Sequence, residues 1–278
     1  MRLLVAGAGG GLGRAFCERV PPHHDVVAMR RDELDIGDHA AVMRTLLPLA
    51  PDAIVNCAAY TRVDECEDAP ERAYHANAVG PQNLALAARR TGSTLLHVST
   101  DYVFDGEKEG AYDELDPPRP ISVYARSKLA GEEMVARLQP ESFVVRTGFV
   151  YGGGADYLTR AVRALADGEE AGGLRDRTGT PTFVRDLADR LLPLVLSQRF
   201  GTYHLAGPEP STWFDVLQRV KRLGDLSGGV RPQRAEELAL AAPRPRNSAL
   251  VSVFAAEAGI EPLPPLDESL TAFLGGRS

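Results

Sequence analysis

The stretch Arg2-Leu3-Leu4-Val5-Ala6-Gly7-Ala8-Gly9-Gly10-Gly11-Leu12-Gly13 decides the fold. A short apolar run ends in glycines and a helical pattern follows through Val20, so the order is strand, glycine turn, helix. Gly7, Gly10 and Gly13 stand three apart, a spacing that differs from the Gly-x-Gly-x-x-Gly fingerprint but makes the same physical demands. Those demands are a tight turn, a backbone that closely approaches a pyrophosphate, and a helix packed on its strand with its N-terminus toward the anion. A flexible turn without a ligand is the plainer reading, and the flanking strand and helix argue against it. Gly7, Gly10, Gly11, Leu12 and Gly13 are the expected cofactor contacts in this stretch.

Outward from it, Asp25 to Met29 reads as a second strand, at whose end an acidic residue would bond the adenine ribose of NAD. The chain has Arg30 and Arg31 there. Arginine cannot accept from a hydroxyl, but its planar fork holds a 2′-phosphate, so NADPH is the expected cofactor, with NADH the alternative. In the competing reading both arginines are solvated loop charges, and Asp32 or Asp35 takes the ribose. Asp35 and Ile36 would edge the adenine; a helix cap is the competing use of Asp35 or Asp38. Ala53 to Ala59 form a third buried strand entering a turn of small residues, where Ala58, Ala59 and Tyr60 would let the cofactor lie along the backbone. Pro70 to Thr91 has helical periodicity, and Asn77 within it reads as a structural hydrogen bonder ahead of a catalytic group. Thr94 to Val98 is the fourth strand; Val98 borders the cofactor, and Ser99-Thr100-Asp101 arrive at the carboxyl rim where open parallel sheets bind ligands.

Farther on, Tyr124-Ala125-Arg126-Ser127-Lys128 places a tyrosine and a lysine four residues apart, on one face of a helix. A cation beside a phenol stabilises the phenolate and brings its proton transfer toward neutral pH. Two surface residues at a common spacing are the bland alternative. Of 31 lysines and arginines only Lys108, Lys128 and Lys221 are lysine, so arginine fills nearly every generic cationic position. Between these sites, Phe104 to Pro120 reads as a surface loop able to overhang the site. The helix continues to Leu138, and Ser142 to Arg146 is another strand. This alternation predicts an α/β fold with a doubly wound parallel sheet. From Gly152 the texture changes to glycine-rich turns, short helices and proline-rich links. Residues 1–151 are therefore expected to bind the dinucleotide, and residues 152–278 to form a smaller C-terminal, mainly substrate-binding lobe, with a strand near 202–206 able to rejoin the sheet.

The totals bound the function. A chain of 278 residues, 44% hydrophobic, can bury a sizeable core, and a net charge of −7 argues against a nucleic-acid partner. No run of 18 apolar residues and no signal-peptide pattern is present, so the expected location is cytoplasmic, with no membrane partner. Cys17, Cys57 and Cys66 lack metal-ligand spacing, and the six histidines do not cluster, so free thiols and no metal are expected.

Several motifs line up in order: Gly7-x-x-Gly10-x-Leu12-Gly13, Asn56-x-Ala58-Ala59-Tyr60-Thr61-x-Val63-Asp64, Ser99-Thr100-Asp101-Tyr102-Val103-Phe104-Asp105-Gly106, and Tyr124-x-x-Ser127-Lys128-x-x-Gly131-Glu132. Arg146-Thr147-x-x-Val150-Tyr151-Gly152, Gly179-x-Pro181-Thr182 and Tyr203-His204-Leu205-Ala206-Gly207 extend the likeness over most of the chain. Together they resemble the extended short-chain dehydrogenase/reductases, and among these the dTDP-4-dehydrorhamnose reductase family. The resemblance implies a Rossmann-like domain and reduction, by NADPH or NADH, of the 4-keto group of a nucleotide-linked 6-deoxyhexose. It implies that Thr100 and Tyr124 hydrogen-bond the ketone and that Tyr124 gives the proton. It further implies that Lys128 lowers the phenol pKa and, with Tyr124, holds the nicotinamide ribose. Thr100, Asp101, Phe149 and Arg177 are the implied substrate contacts, with Arg177, Arg244 and Arg246 the candidates for the diphosphate. Some members dimerise through a Mg²⁺ ion; Ala15 stands at the ligand position, so no metal is expected, while a homodimer stays open.

Three departures bear on the sugar. Gly148-Phe149 stand where many members have Ser-Trp, Arg177 replaces a common Gln, and Val251 replaces an Asp. The alternatives are a nucleotide-sugar epimerase or bifunctional epimerase-reductase, a 4,6-dehydratase, and a regulatory subunit like that of methionine adenosyltransferase. Tyr102 stands where the dehydratases carry an acid.

Overall fold

The computed structural model describes residues 1–276. Its centre is a sheet of six parallel strands: β1 (Arg2–Ala6), β2 (Asp25–Met29), β3 (Ala53–Asn56), β4 (Thr94–Thr100), β5 (Ser142–Thr147) and β10 (Gly201–His204). Side chains alternate along each strand, so both sheet faces need cover. Leu3 and Val5 point into the layer holding Phe16 of α1 (Gly11–Arg19) and Leu187 of α8 (Val184–Ser197). Leu4 and Ala6 point the other way, against Val42 of α2 (His39–Leu49), Leu84 of α5 (Gly80–Thr91) and Val135 of α6 (Val123–Leu138). Asp38 caps α2, accepting from Ala41 N at 3.0 Å, which is the cap reading of that aspartate.

The strand order is β2-β1-β3-β4-β5-β10. The chain therefore turns from one side of the sheet to the other between β1 and β3, and the crevice at that switch point opens at the strands' carboxyl ends. β10 pairs in parallel with β5, His204 beside Arg146. The first core layer is continuous across residue 151, running from Leu3 and Val145 to Leu158, Val216 and Phe273.

The periodic segment Pro70 to Thr91 is three pieces: α4 (Pro70–Tyr74), a π-helical turn (His75–Val79) and α5. Pro81 has no N–H to return to Asn77, and the Gly80 N–H reaches back to the His75 carbonyl instead, which widens that turn. The turn abuts α6 at Gly131, where an added Cβ would lie 2.1 Å from the Asn77 carbonyl oxygen. Preceding it, α3 (Val63–Asp68) follows directly on the loop after β3.

The lobe is built on short pairings. β6 (Val150–Tyr151) pairs with β9 (Thr182–Phe183) and β7 (Ala171–Leu174) with β12 (Val230–Gln233), both in parallel; β8 (Thr178–Gly179) pairs with β11 (Ser211–Thr212) in antiparallel fashion. α7 (Tyr157–Ala166) and α9 (Trp213–Leu223) pack on these strands. The loop expected to overhang the site is fastened: Tyr112 N donates to Ala249 O and Val251 N donates to Tyr112 O, at 2.7 and 2.9 Å, while Phe104 and Tyr112 stack at 4.2 Å.

Candidate active site

At the switch point the glycine turn meets the loop after β3. Gly7 has φ +79°, and a Cβ there would lie 2.5 Å from Ala58 N, so the two loops touch backbone to backbone. A Cβ on Gly13 would lie 2.4 Å from Gly7 O, which lets the first turn of α1 seat on the strand end. Gly10 is different: a Cβ there would meet only Gly7 O, at 3.3 Å, so the space before the helix N-terminus is open to an anion. The cleft in front is lined by Gly7, Gly10, Arg31, Asp35, Ile36 and Ala58 to Tyr60. Arg30 lies beside Gly9 on the outer side of the turn. Gly11 sits against Gly153 and Leu12 packs partly into the core, so these two shape the turn from behind.

The far wall is braced by amides. Asn56 donates to His97 Nδ1 at 2.9 Å and accepts from Ala58 N at 3.0 Å. Asn77 accepts from Tyr60 N at 2.7 Å and donates to Tyr60 O and Ser127 Oγ at 3.1 and 3.0 Å, while Ser127 donates to Tyr124 O. One buried amide thus ties the cofactor wall to the helix that carries Tyr124 and Lys128. This is the structural role read for Asn77.

Ser122 Oγ accepts from Ala125 N and starts α6 one residue before Tyr124 is committed to it. Lys128, 2% exposed, donates to the Val98 carbonyl at 2.7 Å, which pins the ammonium at the end of β4. Burial pulls it down to about 8, with Glu132, one turn on, opposing. Glu132 is itself held by Arg146 at 2.7 Å and by Ser99. Tyr124 differs from expectation. Burial pushes its phenol well above the ordinary value, with the hydrogen bond to Thr100 working the other way, so desolvation outweighs the lowering expected from Lys128. The tyrosine is a firmly protonated acid. Thr100 lies beside it, 6% exposed, and also accepts from Tyr102 N at 3.2 Å, so its hydroxyl both caps the strand end and faces the phenol.

Beyond Tyr124 a second pocket opens into the lobe. Tyr102, Phe149, Tyr157, Arg177, Trp213 and Arg244 line it. Phe149 stacks on Trp213 at 4.8 Å and 4°, and its φ of +46° is a conformation held only where the surroundings fix it. Arg244 grips Asp64 of α3, Nη2 to Oδ2 at 2.6 Å, and holds that carboxyl below its usual range. Arg177 is tied to its neighbour Asp176 at 3.2 Å. Arg246 is exposed and lies outside this pocket, and Asp101 faces Thr100 and Ser248. An aromatic shelf flanked by two guanidinia suits a base and a diphosphate.

Sequence reasoning missed Tyr157, Trp213, Gln233, Leu238 and Leu240 of this pocket, and Arg72 and His75 of the first. Trp213 carried one signal, since it is the sole tryptophan of the chain. The three cysteines are free; Cys57 lines the cofactor cleft, where burial pushes its thiol up to about 12.

The family model for the RmlD substrate binding domain matches residues 1–276. A dTDP-4-dehydrorhamnose reductase of Mycolicibacterium smegmatis is 38% identical over 276 residues, covering 97% of this chain and 84% of that protein. A dTDP-4-keto-6-deoxy-D-glucose reductase of Streptomyces niveus is 36% identical, covering 94% and 92%. A crystal structure of dTDP-4-dehydrorhamnose reductase from Bacillus anthracis in complex with NADP superposes with a TM-score of 0.96, at 33% identity and 99% coverage of both chains.

Proposed function

The chain belongs to the family of the RmlD substrate binding domain, and on that premise we propose that it uses NADPH to reduce the 4-keto group of a dTDP-linked 4-keto-6-deoxyhexose. One observation carries the reading. Tyr124 is hydrogen-bonded to Thr100 at the carboxyl end of β4, where the Val98 carbonyl also holds Lys128, and it packs between Tyr60 of the first cleft and Tyr102 of the aromatic pocket with its two arginines.

The residues of the first cleft fit NADPH. The open face of Gly10 and the α1 N-terminus suit the pyrophosphate, Arg31 from within and Arg30 from outside suit the 2′-phosphate, and Asp35 with Ile36 suits the adenine. Ala58, Ala59 and Tyr60 form the wall, and Lys128, with protons beyond the one given to Val98, suits the nicotinamide ribose together with Tyr124. When bound, NADPH supplies the hydride.

The chain's own groups then do the rest. Thr100 and Tyr124 hold the ketone oxygen from two sides and orient its carbon. Tyr124 gives its proton to the developing alkoxide; a phenol raised by burial holds that proton until an oxygen far more basic than itself forms. The Lys128 ammonium steadies the phenolate left behind. Arg177 and Arg244 take the diphosphate, and Phe149 on Trp213 provides the shelf for the base and sugar. Residues up to 151 mainly serve the cofactor, with Thr100, Tyr124 and Phe149 reaching the substrate, and those from 152 mainly serve the substrate, apart from β10, which completes the sheet. Among the described residues no helix is long and apolar enough to cross a membrane, and with the acidic charge this fits a cytoplasmic enzyme without a nucleic-acid partner. A homodimer is the assembly we propose, and sedimentation measures it.

Loss of NADPH absorbance with a panel of dTDP-4-keto-6-deoxyhexoses tests the function. Consumption with a product reduced at C4 by NMR is expected; epimers without NADPH consumption would reassign the site.

A further inference from the structure

Asp101, expected as a substrate contact, turns both its oxygens to protein hydroxyls and takes no part in the reduction described above. It is 3% exposed, and no lysine or arginine pairs with it among the described residues. Each oxygen faces one hydroxyl: Oδ1 lies 3.0 Å from Thr100 Oγ1, and Oδ2 meets Ser248 Oγ. Ser248, 1% exposed, comes from the lobe segment that also carries Arg244. Its other acceptor, the Thr178 carbonyl, is 3.5 Å away, so the serine proton goes to Asp101. A Cβ on Gly148 would lie 2.4 Å from Oδ2, so the carboxyl is walled in on that side too.

The Thr100 hydroxyl has one proton and two lone pairs. Tyr102 N–H occupies one lone pair at 3.2 Å. If Asp101 is ionised, both its oxygens only accept; Oδ1 draws the Thr100 proton, and Thr100 has nothing to give a ketone. If Asp101 is neutral, its own O–H donates to the second lone pair of Thr100, and the threonine proton is released toward the Tyr124 oxygen in the free enzyme and toward the ketone once a substrate is bound. Ser248 breaks the symmetry of the carboxyl. A donor at Oδ2 makes that atom the carbonyl oxygen and leaves the acid proton on Oδ1, facing Thr100.

Resting on the reductase reading, we propose that Asp101 works as a neutral carboxylic acid, a positioning residue that turns the Thr100 hydroxyl proton toward the substrate ketone, with Ser248 fixing which oxygen carries the acid proton. Burial raises the Asp101 carboxyl to about 7, with the hydrogen bonds from Ser248 and Thr100 and from the backbone N–H groups of Asp101 and Tyr102 opposing. The groups around it are Tyr102 on its own turn and Tyr124 on α6, both raised by burial, with Arg177 and Arg244 of the lobe acting on Tyr102. As pH rises through this titration the carboxylate captures the Thr100 proton, and turnover falls. The lobe that receives the nucleotide therefore also sets the catalytic hydroxyl.

The test is kcat against pH for wild type, Asp101→Asn and Ser248→Ala, with thermal unfolding and NADPH fluorescence showing folded, cofactor-binding enzyme. Asparagine puts an N–H where the acid proton sits and a carbonyl where Ser248 donates, at every pH. We expect Asp101→Asn to keep kcat within about tenfold of wild type and to lose the first alkaline step, leaving the later one that belongs to Lys128. Ser248→Ala removes a donor that favours the ionised form, so the first step moves to higher pH. A folded, NADPH-binding Asp101→Asn enzyme slowed by about 10²-fold or more overturns the proposal, as does a first step that neither variant moves. Should Asp101→Asn not fold, the Ser248→Ala shift decides. Wild-type enzyme that turns over no 4-keto sugar would instead overturn the reductase reading itself.

Discussion

The cleft proposed for the dinucleotide and the pocket proposed for the sugar nucleotide flank Tyr124, yet they are built from different materials. The first is mostly backbone: Gly7 and Gly13 bring main chain to within contact of main chain, Gly10 leaves the helix N-terminus open, and the wall opposite is Ala58 and Ala59. The second is mostly side chain, with Phe149 on Trp213, Tyr157, and two arginines each already paired with an aspartate. A site made of backbone fails when atoms are added, and a site made of side chains fails when atoms are removed.

Between the two lies the shared chemistry, where the largest effect falls. Tyr124→Phe is expected to lower kcat by about 10²-fold or more, as loss of a general acid does. NADPH binding, followed by fluorescence, should persist; a loss confined to cofactor affinity would move the tyrosine to the cofactor side. On the cofactor side, Gly13→Ala adds a Cβ 2.4 Å from Gly7 O. Overpacking of this kind costs about 1–3 kcal/mol, read as a lower unfolding midpoint together with weaker NADPH binding. An unchanged NADPH affinity would break the distinction drawn above.

Two smaller effects sharpen it. Arg31→Ala should narrow the NADPH over NADH ratio of kcat/KM by about tenfold, the worth of a charged hydrogen bond to phosphate, and leave the KM for the sugar nucleotide alone. Trp213→Ala should do the reverse, raising that KM by about tenfold through lost stacking with the cofactor ratio unmoved. The smallest is a slope. Because burial holds Lys128 down at about 8, its ammonium is present below that pH and lost above it, so kcat falls on the alkaline side there. Glu132→Gln removes a charge that raises Lys128, and the fall should begin at lower pH.

The same contrast explains what the sequence disclosed. The glycine turn, Ala58-Ala59-Tyr60, Thr100 and the Tyr124–Lys128 pair are short contiguous motifs on or directly after regular elements, so spacing alone sets them at the carboxyl rim of the sheet. The substrate pocket draws Phe149, Tyr157, Trp213, Gln233 and Arg244 from segments far apart in the chain, and no periodicity links them. Arg246 illustrates the limit. Two residues from Arg244, it is exposed, because the chain bends at Arg246 and breaks the alternation that would otherwise set both arginines on one face. The phenol went astray for another reason: helical spacing puts Lys128 near Tyr124, but the Val98 carbonyl holds the ammonium, and burial then sets the tyrosine's proton affinity. Burial is a property of the assembled fold, which local spacing does not carry.

Hydride delivery to the sugar, with the proton from Tyr124, is the central claim, and isotope transfer tests it most directly. NADPH carrying deuterium at both positions of nicotinamide C4 is incubated with a dTDP-4-keto-6-deoxyhexose, and the product is read by NMR. We expect one deuterium, on C4 of the hexose, in wild type, and the same label at a rate about 10²-fold lower in Tyr124→Phe. Product without deuterium at C4, or with solvent hydrogen exchanged at C3 or C5 and NADPH unconsumed, would contradict it.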